Sequence, residues 1–275
     1  MSVNYKGLYV DKLVEILGND EAENNLLSYA KNNSFTTLSL YDIQKILHKD
    51  DITPDTTQSM ADFIRKAKTT YGIQHVAGIA ENADFFINII SNYNHVRNNA
   101  DEKLDVYNVE FEFWNQTQID DYYCDDYLKD CEFDCNPDGA YSFFKFQLLN
   151  IHELAQKDGC VCETYVGWPD AAQAKGMMPY INRVLIHAYV ADPATAYDYT
   201  KERLHFYAQN GLVNIIIIFS SEPDFSGPWL NSHNEAEAFH TYLARYNADP
   251  QPWKKNITLL GYQWFDYSNM QQPEA

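Results

Sequence analysis

The sequence predicts an α/β protein built as a single (β/α)8 TIM barrel, and three observations support this prediction. Eight short runs rich in β-branched and aromatic residues alternate with longer amphipathic segments along 275 residues, which is the pattern of such a barrel. The Gly-rich phosphate turn that usually follows the first strand of a doubly wound open sheet is replaced by YVDKLVE. The chain has no Pro-, Gly- or Ser-rich linker, so we expect one domain over 1–275.

The predicted strands and helices follow one another in strict alternation. We predict strands at 6–11, 35–41, 74–80, 104–114, 161–168, 183–190, 213–220 and 257–265. We predict helices at 12–31, 42–48, 57–71, 82–98, 140–158, 169–180, 194–210 and 232–247. Gly72 and Gly159 stand where C-terminal helix caps belong. The connection between the seventh and eighth strands is short, so we expect no α+β insertion domain.

The longest predicted connection, 115–139, is an acidic and aromatic loop that follows the fourth strand. It leaves the carboxyl end of that strand, where barrels place their active sites, so we expect a lid or a binding wall. The cysteines of the chain are Cys124, Cys131, Cys135, Cys160 and Cys162. Their odd number leaves at least one thiol without an intrachain partner, and their spacing fits no standard zinc pattern. A disulfide within 124–135 is favoured over fully reduced cysteines.

The charge of the chain argues against several classes of partner. Lys and Arg number 20 and Asp and Glu number 39, which gives a formal net charge of −19. Such a chain, with no basic cluster, repels phosphate backbones and anionic lipid surfaces, so nucleic acid is not expected as a partner. The longest apolar run, 213–219, is far shorter than a membrane span of roughly 18 residues.

Polar and hydrophobic residues alternate along the predicted fourth strand. The polar positions are Asn108, Glu110 and Glu112, and the positions between and after them are Val109, Phe111 and Phe113. Side chains of a barrel strand alternate between the interior and the helical shell, so we expect the polar set to face the interior near the mouth. Two interior carboxylates two residues apart lie roughly 6 to 7 Å apart along the strand. Burial and mutual repulsion are expected to raise at least one of their pKa values, as a general acid requires.

A structural alternative is that Glu110 pairs with a basic residue inside the barrel. The predicted strands offer few such partners. Arg183 stands at a strand start, and His187 is the one titratable base well inside a strand. The functional interpretation is therefore favoured.

The segment Asn108-Val-Glu110-Phe-Glu112 resembles the strand-four D-x-D-x-E signature of family 18 glycoside hydrolases, the chitinases and endo-β-N-acetylglucosaminidases. The resemblance implies that Glu112 is the general acid, that Glu110 orients the N-acetyl group of the substrate, and that Asn108 supports it by hydrogen bonding. In that family the acetamido group itself attacks the anomeric carbon, an exception to the two-carboxylate scheme. It implies a retaining hydrolysis of β-linked N-acetylglucosamine-containing glycans without a cofactor.

Other strand ends extend this resemblance over the whole barrel. The segment GYQWFD at 261–266 is similar to the last strand of the family, so that Trp264 is implied as the platform for the distorted sugar, with Tyr262 beside it as a binding residue. His187-Ala-Tyr189 is similar to the strand-six Met-x-Tyr-Asp motif, and Tyr189 is implied as the hydrogen-bond donor to the acetamido group. The compact endo-β-N-acetylglucosaminidase barrels are the nearer analogy.

The departures from the family pattern matter for activity. The first Asp of the signature is Asn108, the middle Asp is Glu110, and Val190 stands where an Asp follows the strand-six Tyr. An extra methylene in the middle acid moves its oxygen by roughly 1 Å, which can cost on the order of a hundredfold in rate. The resemblance is therefore compatible with a weak or repurposed enzyme, and the alternative is a catalytically silent barrel that binds a glycan or a protein.

Further residues near the predicted mouth are candidates for ligand binding. Glu163 and Tyr165 on the fifth strand and Trp114 after the fourth are expected to approach the ligand. A third alternative is a glycosidase that uses Glu112 and Glu163 as a carboxylate pair about 5 Å apart. Trp168 and Trp229 lie where they can stack on sugar rings, although each is equally compatible with a packing role.

Several kinds of site lack support in the sequence. The histidines show no metal-binding spacing, so no metal site is predicted. No Gly-x-Ser-x-Gly elbow and no phosphate loop is present, which argues against acyl-transfer enzymes and NTPases. The chain as given begins without a basic segment followed by an apolar one, and so shows no signal peptide. We nevertheless expect an extracytoplasmic or secreted protein.

Overall fold

Eight parallel strands close into a barrel, which confirms the predicted (β/α)8 fold. The structure is a computed structural model and describes residues 4–270; residues 1–3 and 271–275 of the predicted domain lie outside the described part. The strands are β1 Tyr5–Val10, β2 Thr37–Leu40, β3 His75–Ala80, β4 Val106–Val109, β5 Val161–Val166, β6 Arg183–His187, β7 Val213–Ser220 and β8 Ile257–Phe265. Each strand pairs with the next, and β8 pairs with β1 to close the sheet.

Helices cover the outside of this barrel between successive strands. The α-helices are α1 Leu13–Ile16, α2 Asp20–Asn32, α3 Gln58–Tyr71, α4 Ala83–Phe85, α5 Asn92–Val96, α6 Gln116–Gln118, α7 Pro137–Asp158, α8 Ala171–Met177, α9 Ala196–Ala208, α10 Gly227–Leu230, α11 Glu235–Ala248 and α12 Tyr267–Met270. Tighter 3-10 turns lie at Ile43–Lys45, Ala100–Glu102, Lys129–Cys131, Met178–Tyr180, Pro193–Thr195 and Pro252–Asn256, and wider π-helical segments at Phe86–Ser91 and Ile119–Leu128. In the described part, no helix has both the length and the apolar character needed to cross a membrane.

Helix ends follow the local signals of the sequence. Gly72 ends α3 and Gly159 ends α7, each in the left-handed conformation (φ 79° and 72°) that glycine adopts without a steric penalty. Both were predicted as C-terminal caps. Asn136 begins α7, because its side chain accepts a hydrogen bond from the backbone N–H of Gly139 at 2.9 Å.

The connection 115–139 is largely helical, whereas the sequence predicts a loop there. It contains α6, the π-helical segment Ile119–Leu128 and the turn Lys129–Cys131 before α7 begins at Pro137. A disulfide joins Cys124 to Cys135, within the range where one is predicted, and Cys131 remains a free, exposed thiol. The segment is therefore an ordered wall beside the end of β4.

The main core lies between the sheet and the helices, and β4 shows how the sequence directs it. Val109, Phe111 and Phe113 are fully buried in this outer core, where Phe111 stacks on Tyr123 with ring centroids 4.0 Å apart. The hydrogen-bonded part of β4 ends at Val109, so the predicted strand 104–114 is too long. The alternation of faces nevertheless continues beyond it, and the polar set lies on the opposite face.

The barrel interior below the mouth contains a network of polar side chains beside apolar ones such as Leu185 and Ile216. Asn108, Glu163 and Arg183 are register partners on β4, β5 and β6. Asn108 Nδ2 donates to Glu163 Oε1 at 2.6 Å, and Arg183 Nε donates to Glu163 Oε2. Across the barrel, Gln263 Oε1 accepts hydrogen bonds from Tyr5 and Ser39 at 2.9 and 3.1 Å. These hydrogen bonds pair most polar atoms of the group, as is usual for buried polar groups, whereas Arg183 Nη2 has no partner among the described residues.

A bulge in β8 decides which of its residues face inward. Ile215 of β7 is opposite Leu259 and Ile216 is opposite Gly261, so one residue, Leu260, is inserted into the ladder. Gly261 lies so close to β1 that a Cβ atom there would be 1.8 Å from the carbonyl oxygen of Tyr5. The bulge therefore requires glycine at this point of barrel closure, and it shifts the alternation of every later residue of β8.

Candidate active site

A small pocket opens at the carboxyl ends of the strands. Its lining consists of Tyr9, Asn108, Glu110, Tyr165, Leu185, Tyr189, Ile218, Gln263 and Phe265. These residues come from β1, β4, β5, β6, β7 and β8 or directly follow them, so the pocket lies on the barrel axis. This is the end of the barrel where active sites lie in enzymes of this fold.

Glu110 is the acidic residue of this pocket, and its surroundings disfavour the charged form. Burial, followed by the negative charge of Glu112, raises the pKa of the Glu110 carboxyl from 4.5 to about 8. A hydrogen bond from the Tyr9 hydroxyl to Glu110 Oε2, 3.2 Å long, acts in the opposite direction. These surroundings favour the protonated form of the Glu110 carboxyl at neutral pH.

Glu112 lies two residues further toward the rim and is held by several donors. Tyr165 OH donates to Glu112 Oε1 at 3.3 Å, and Asn115 Nδ2 donates to Oε2 at 2.7 Å. Its backbone N–H donates to Tyr123 OH at 3.1 Å, which links Glu112 to the helical connection after β4. These bonds fix both the carboxylate and the backbone of Glu112 next to the pocket.

Three tyrosines supply hydroxyl groups to the pocket. Burial is the largest cause that raises the pKa values of Tyr9, Tyr165 and Tyr189 well above 10. All three are therefore neutral hydrogen-bond donors at any physiological pH. The predicted donor Tyr189 packs against Phe265 with ring centroids 6.1 Å apart and lines the pocket together with Glu110.

The structure does not bring Glu163 to the ligand side of the pocket, and this corrects the sequence analysis. Glu163 has no exposed surface and is ion-paired with Arg183 beneath the pocket. The sequence analysis considered a basic residue inside the barrel as a partner for Glu110. The structure pairs that basic residue, Arg183, with its register neighbour Glu163 instead. A catalytic pair of Glu112 with Glu163 is excluded, because Glu163 is fully buried and its charge is balanced by Arg183. Asn108 bridges the two levels, since it lines the pocket and donates to Glu163.

Trp264 and Tyr262 also lie away from the pocket, which corrects both assignments. Trp264 is fully buried in the outer core, where it packs on Phe219 at 5.3 Å and donates from Nε1 to the Glu235 carbonyl at 3.2 Å. Tyr262 is 1% exposed and packs on Phe239 at 5.4 Å. The bulge at Leu260 reverses the alternation of faces along β8, so the aromatic residue that β8 presents to the pocket is Phe265.

Trp114 lies beside the pocket. Its ring packs on Tyr165 with centroids 5.7 Å apart and is half-buried. A Cβ atom at Gly167 would be 2.4 Å from this ring, so the glycine at the end of β5 leaves the space that Trp114 occupies. Trp114 therefore supports Tyr165, which in turn holds Glu112.

The helical wall 115–139 is anchored to the end of β3 by one carboxylate. Tyr122 and Tyr127 both donate to Glu81, at 2.5 and 2.6 Å. Together with the disulfide, these bonds hold the wall against the rim next to Glu112. Sequence reasoning left Glu81 unnoticed, because its partners lie about 40 residues away.

Tyr9, Gln263 and Phe265 are further pocket residues that the sequence analysis missed. The alternation of β1 marks Tyr9 as inward-facing, since it follows Gly7 by two residues and the outer face carries Leu8 and Val10. That signal was available but not distinctive. Gln263 and Phe265 depend on the bulge and so carried no readable signal.

The pocket is narrow. The space open to the centre of a water molecule is about 10 Å3, which is room for about one water. A sugar ring can enter only if aromatic side chains of the lining move. A larger cleft of about 420 Å3 lies outside the barrel, between α2, α10 and α12. Its acidic residue, Glu235, accepts a hydrogen bond from Tyr29, and the residues that line the cleft include no second carboxyl group. We therefore place the candidate site at the barrel mouth.

Fold and site together define a (β/α)8 barrel protein with two neighbouring acidic residues and several tyrosine hydroxyls at the carboxyl ends of its strands. The described residues include no cluster of three or more His, Cys, Asp or Glu suited to a metal ion. No protein-family model matches the sequence, and no curated protein matches it.

Solved structures of similar fold include three carbohydrate-active enzymes. The GH18 chitinase ChiB of Flavobacterium johnsoniae is 9% identical, with a TM-score of 0.53 over 98% of this chain and 89% of its own. A β-D-glucuronidase of Dictyoglomus thermophilum is 10% identical, with a TM-score of 0.55 over 96% of this chain and 44% of its own. The catalytic domain of a β-amylase of Paenibacillus polymyxa is 8% identical, with a TM-score of 0.52 over 98% and 94%. At such identity these likenesses show a shared fold.

Proposed function

We propose that this chain is a glycoside hydrolase whose single domain, 1–275, cleaves β-linked N-acetylglucosamine-containing glycans with retention of configuration. The observation that carries the proposal is the carboxyl pair at the mouth, in which the pKa of Glu110 is raised to about 8 beside Glu112. A carboxyl that keeps its proton at neutral pH supplies the proton that a glycosidase must give to the leaving group, here by way of Glu112. The occurrence of the same fold in a chitinase is compatible with this activity.

In this proposal, Glu110 and Glu112 share one proton. One of the two residues donates it to the leaving group, and the other then accepts a hydrogen bond from the acetamido group. In the proposed reaction, the proton first passes from the Glu110 carboxyl to the Glu112 carboxylate. Glu112 then delivers it to the glycosidic oxygen, because Glu112 lies nearer to the rim. The C–O bond to the leaving sugar breaks with its electron pair on that oxygen, and the acetamido oxygen of the substrate forms a bond to the anomeric carbon. Glu110, left as a carboxylate, accepts the acetamido N–H, and Tyr189 donates to the acetamido group. Water then opens the cyclic intermediate with Glu112 as base, which restores the proton.

The activity is tested with two chromogenic substrates that differ in the acetamido group. We expect chromophore release from the β-glycoside of N,N′-diacetylchitobiose and none from that of non-acetylated chitobiose, because the substrate itself supplies the nucleophile. Glu112→Gln should lower kcat by a factor of about 10² to 10⁴, the usual contribution of a general acid. Glu153→Gln, an exposed change on α7, is the matched control. Equal hydrolysis of both substrates, or undiminished hydrolysis by Glu112→Gln, would refute the proposal.

Two observations favour a second function, a catalytically silent barrel that binds a glycan or a protein. The Glu110 carboxyl is tied to Tyr9, and the pocket has room for about one water molecule. A protein that binds its ligand outside this pocket does not need space for a sugar ring between these side chains. This alternative predicts binding of chitin oligosaccharides without release of either chromophore.

A further inference from the structure

His187 is a buried polar residue beside the mouth for which the structure offers no partner. It is the last residue of β6, and 8% of its surface is exposed. Among residues 4–270, neither Nδ1 nor Nε2 has a hydrogen-bond partner. A buried polar group without a partner is destabilising, and an apolar side chain of similar shape avoids that cost. His187 is therefore poorly explained as a structural residue.

The side chains around His187 form an aromatic shelf that joins the mouth pocket, and we define the shelf by His187, Trp168 and Tyr199. Ring centroids of Trp168 and Tyr199 lie 5.5 and 5.9 Å from that of His187. Tyr189 and Tyr165, which line the pocket, lie 4.9 and 6.0 Å from it. Trp168 is 51% exposed, so the shelf is open to ligands.

Arg203 holds the exposed ring of this shelf in place. Its guanidinium lies 4.3 Å from the centre of the Trp168 ring and 4.8 Å from that of Tyr199. It also donates to the carbonyls of Gly167 and Tyr199, at 2.7 and 3.0 Å. A buried cation fixed between two rings orients them before any ligand arrives, which lowers the entropic cost of binding. An exposed tryptophan that served only packing would not need this support.

Charges around the shelf select the class of ligand. Arg203 repels a cationic ligand. Because its side chain is buried and donates to the carbonyls of Gly167 and Tyr199, it presents no charged donor at the surface of the shelf to bind an anion. Burial, followed by the charge of Arg203, lowers the pKa of His187 to about 3, so its ring is neutral. A neutral imidazole offers one donor and one acceptor. That pair matches a hydroxyl group, which both accepts and donates, and the flat indole matches the apolar face of a sugar ring.

We propose that His187 and Trp168 form an additional subsite that binds an uncharged sugar ring next to the mouth, with Trp168 stacking on the ring and His187 hydrogen-bonding its hydroxyl groups. The choice of a sugar rests on the proposed function. The subsite itself rests on His187, Trp168 and Arg203, and requires no chemistry at Glu110 or Glu112. It would also let a glycan bind beside a central pocket that is narrow.

The test measures binding of tetra-N-acetylchitotetraose by calorimetry in a Glu112→Gln background, so that hydrolysis does not consume the probe. Trp168→Ala and His187→Leu should each raise Kd about tenfold, the order expected for loss of one good hydrogen bond or stacking contact. His187→Gln, which keeps a donor and an acceptor, should recover part of the affinity. His187→Leu should unfold at the same or a higher urea concentration than its parent, because it removes unpaired buried polar atoms. A residue needed only for structure would lose stability instead.

A second histidine–tryptophan pair provides the matched control. His205, in the last turn of α9, stacks on Trp253 with centroids 5.4 Å apart, away from the mouth. His205→Leu and Trp253→Ala should leave Kd unchanged. The inference is overturned if the probe does not bind, if Trp168→Ala and His187→Leu leave Kd unchanged, or if the control variants weaken binding equally. If the probe binds at this subsite but the wild-type protein hydrolyses neither chromogenic substrate, the proposed hydrolysis fails and the subsite stands.

Discussion

The Tyr9 hydroxyl donates a hydrogen bond to Glu110 Oε2 at 3.2 Å, joining the ends of β1 and β4 inside the mouth. The bond has two consequences that oppose each other. It stabilises the charged form of Glu110, and so lowers a pKa that burial and Glu112 raise to about 8. It also occupies one oxygen of the carboxyl group that the proposed reaction needs for the acetamido N–H. Tyr9 therefore controls both the charge and the availability of Glu110.

Removing the Tyr9 hydroxyl should raise the pKa of Glu110 further. In Tyr9→Phe, burial and the charge of Glu112 remain, whereas the donor that favours the carboxylate is lost. We expect the carboxyl titration of Glu110, followed by NMR of the side-chain carbon, to move to higher pH than in the wild type. Tyr71→Phe, which removes a hydroxyl bonded to Asn24 on the surface, is the control. A downward shift in Tyr9→Phe would show that Tyr9 does not act as a donor to the charged form.

The raised pKa of Glu110 also predicts how stability depends on pH. The unfolded chain titrates near the ordinary value of 4.5 and the folded chain near 8, so the folded state binds more protons between these values. The contribution of Glu110 to stability is therefore fully present below about pH 4.5 and is lost as the pH rises through about 8. Glu110→Gln should remove this dependence. The difference in free energy of unfolding, variant minus wild type, should increase between pH 5 and pH 8.5 in urea titrations.

The control for this prediction is Glu153→Gln, on the exposed face of α7. Its difference from the wild type should be the same at both pH values. If Glu110→Gln behaves like Glu153→Gln, Glu110 titrates normally in the folded protein and is not the protonated member of a carboxyl pair.

The buried ion pair of Glu163 and Arg183 should be important for stability. Glu163→Gln keeps an acceptor for Asn108 but leaves the Arg183 charge uncompensated beneath the pocket. We expect a loss of about 3 to 5 kcal/mol in the free energy of unfolding, measured in urea. The double variant Glu163→Gln/Arg183→Met should recover most of that loss, because no buried charge remains.

An exposed pair shows the size of effect to expect without burial. Arg245 and Asp198 are 2.6 Å apart, and more than half of each side chain is exposed. Asp198→Asn should cost less than about 1 kcal/mol. Equal losses for Asp198→Asn and Glu163→Gln would show that Glu163 is not isolated from solvent.

The fold could be predicted because it depends on patterns among residues that are close together in the sequence. Hydrophobic runs, helix periodicity and the caps at Gly72 and Gly159 each concern a few neighbouring residues, and all eight predicted strands are present. The inward face of β4 followed from the same local alternation. Local patterns do not show which residues on neighbouring strands lie opposite each other in the sheet. Arg183 opposes Glu163 because the two are register neighbours, and no spacing along the chain reveals that register.

The family resemblance misplaced Trp264 and Tyr262 of β8 for a similar reason. Simple alternation cannot register the extra residue Leu260, which exists because Gly261 approaches the Tyr5 carbonyl where the barrel closes. That approach joins residues more than 250 positions apart. A glycine within a predicted strand was the only local sign of a bulge. Trp264 matched a family motif in sequence, yet the bulge turns it into the outer core and presents Phe265 to the pocket.

This reversal of faces on β8 can be tested with two neighbouring aromatic residues. Phe265 packs edge-on against Tyr9 at 4.7 Å and lines the pocket, so Phe265→Ala should weaken binding of tetra-N-acetylchitotetraose severalfold, with a smaller loss of stability than a fully buried aromatic would show. Trp264→Ala should instead cost about 3 to 5 kcal/mol in urea unfolding, because Trp264 is fully buried, and should leave Kd unchanged under conditions where the variant is folded. Trp264→Phe provides a milder variant if Trp264→Ala does not fold. Weaker binding in Trp264→Phe, with Phe265→Ala unaffected, would mean that Trp264 faces the ligand after all.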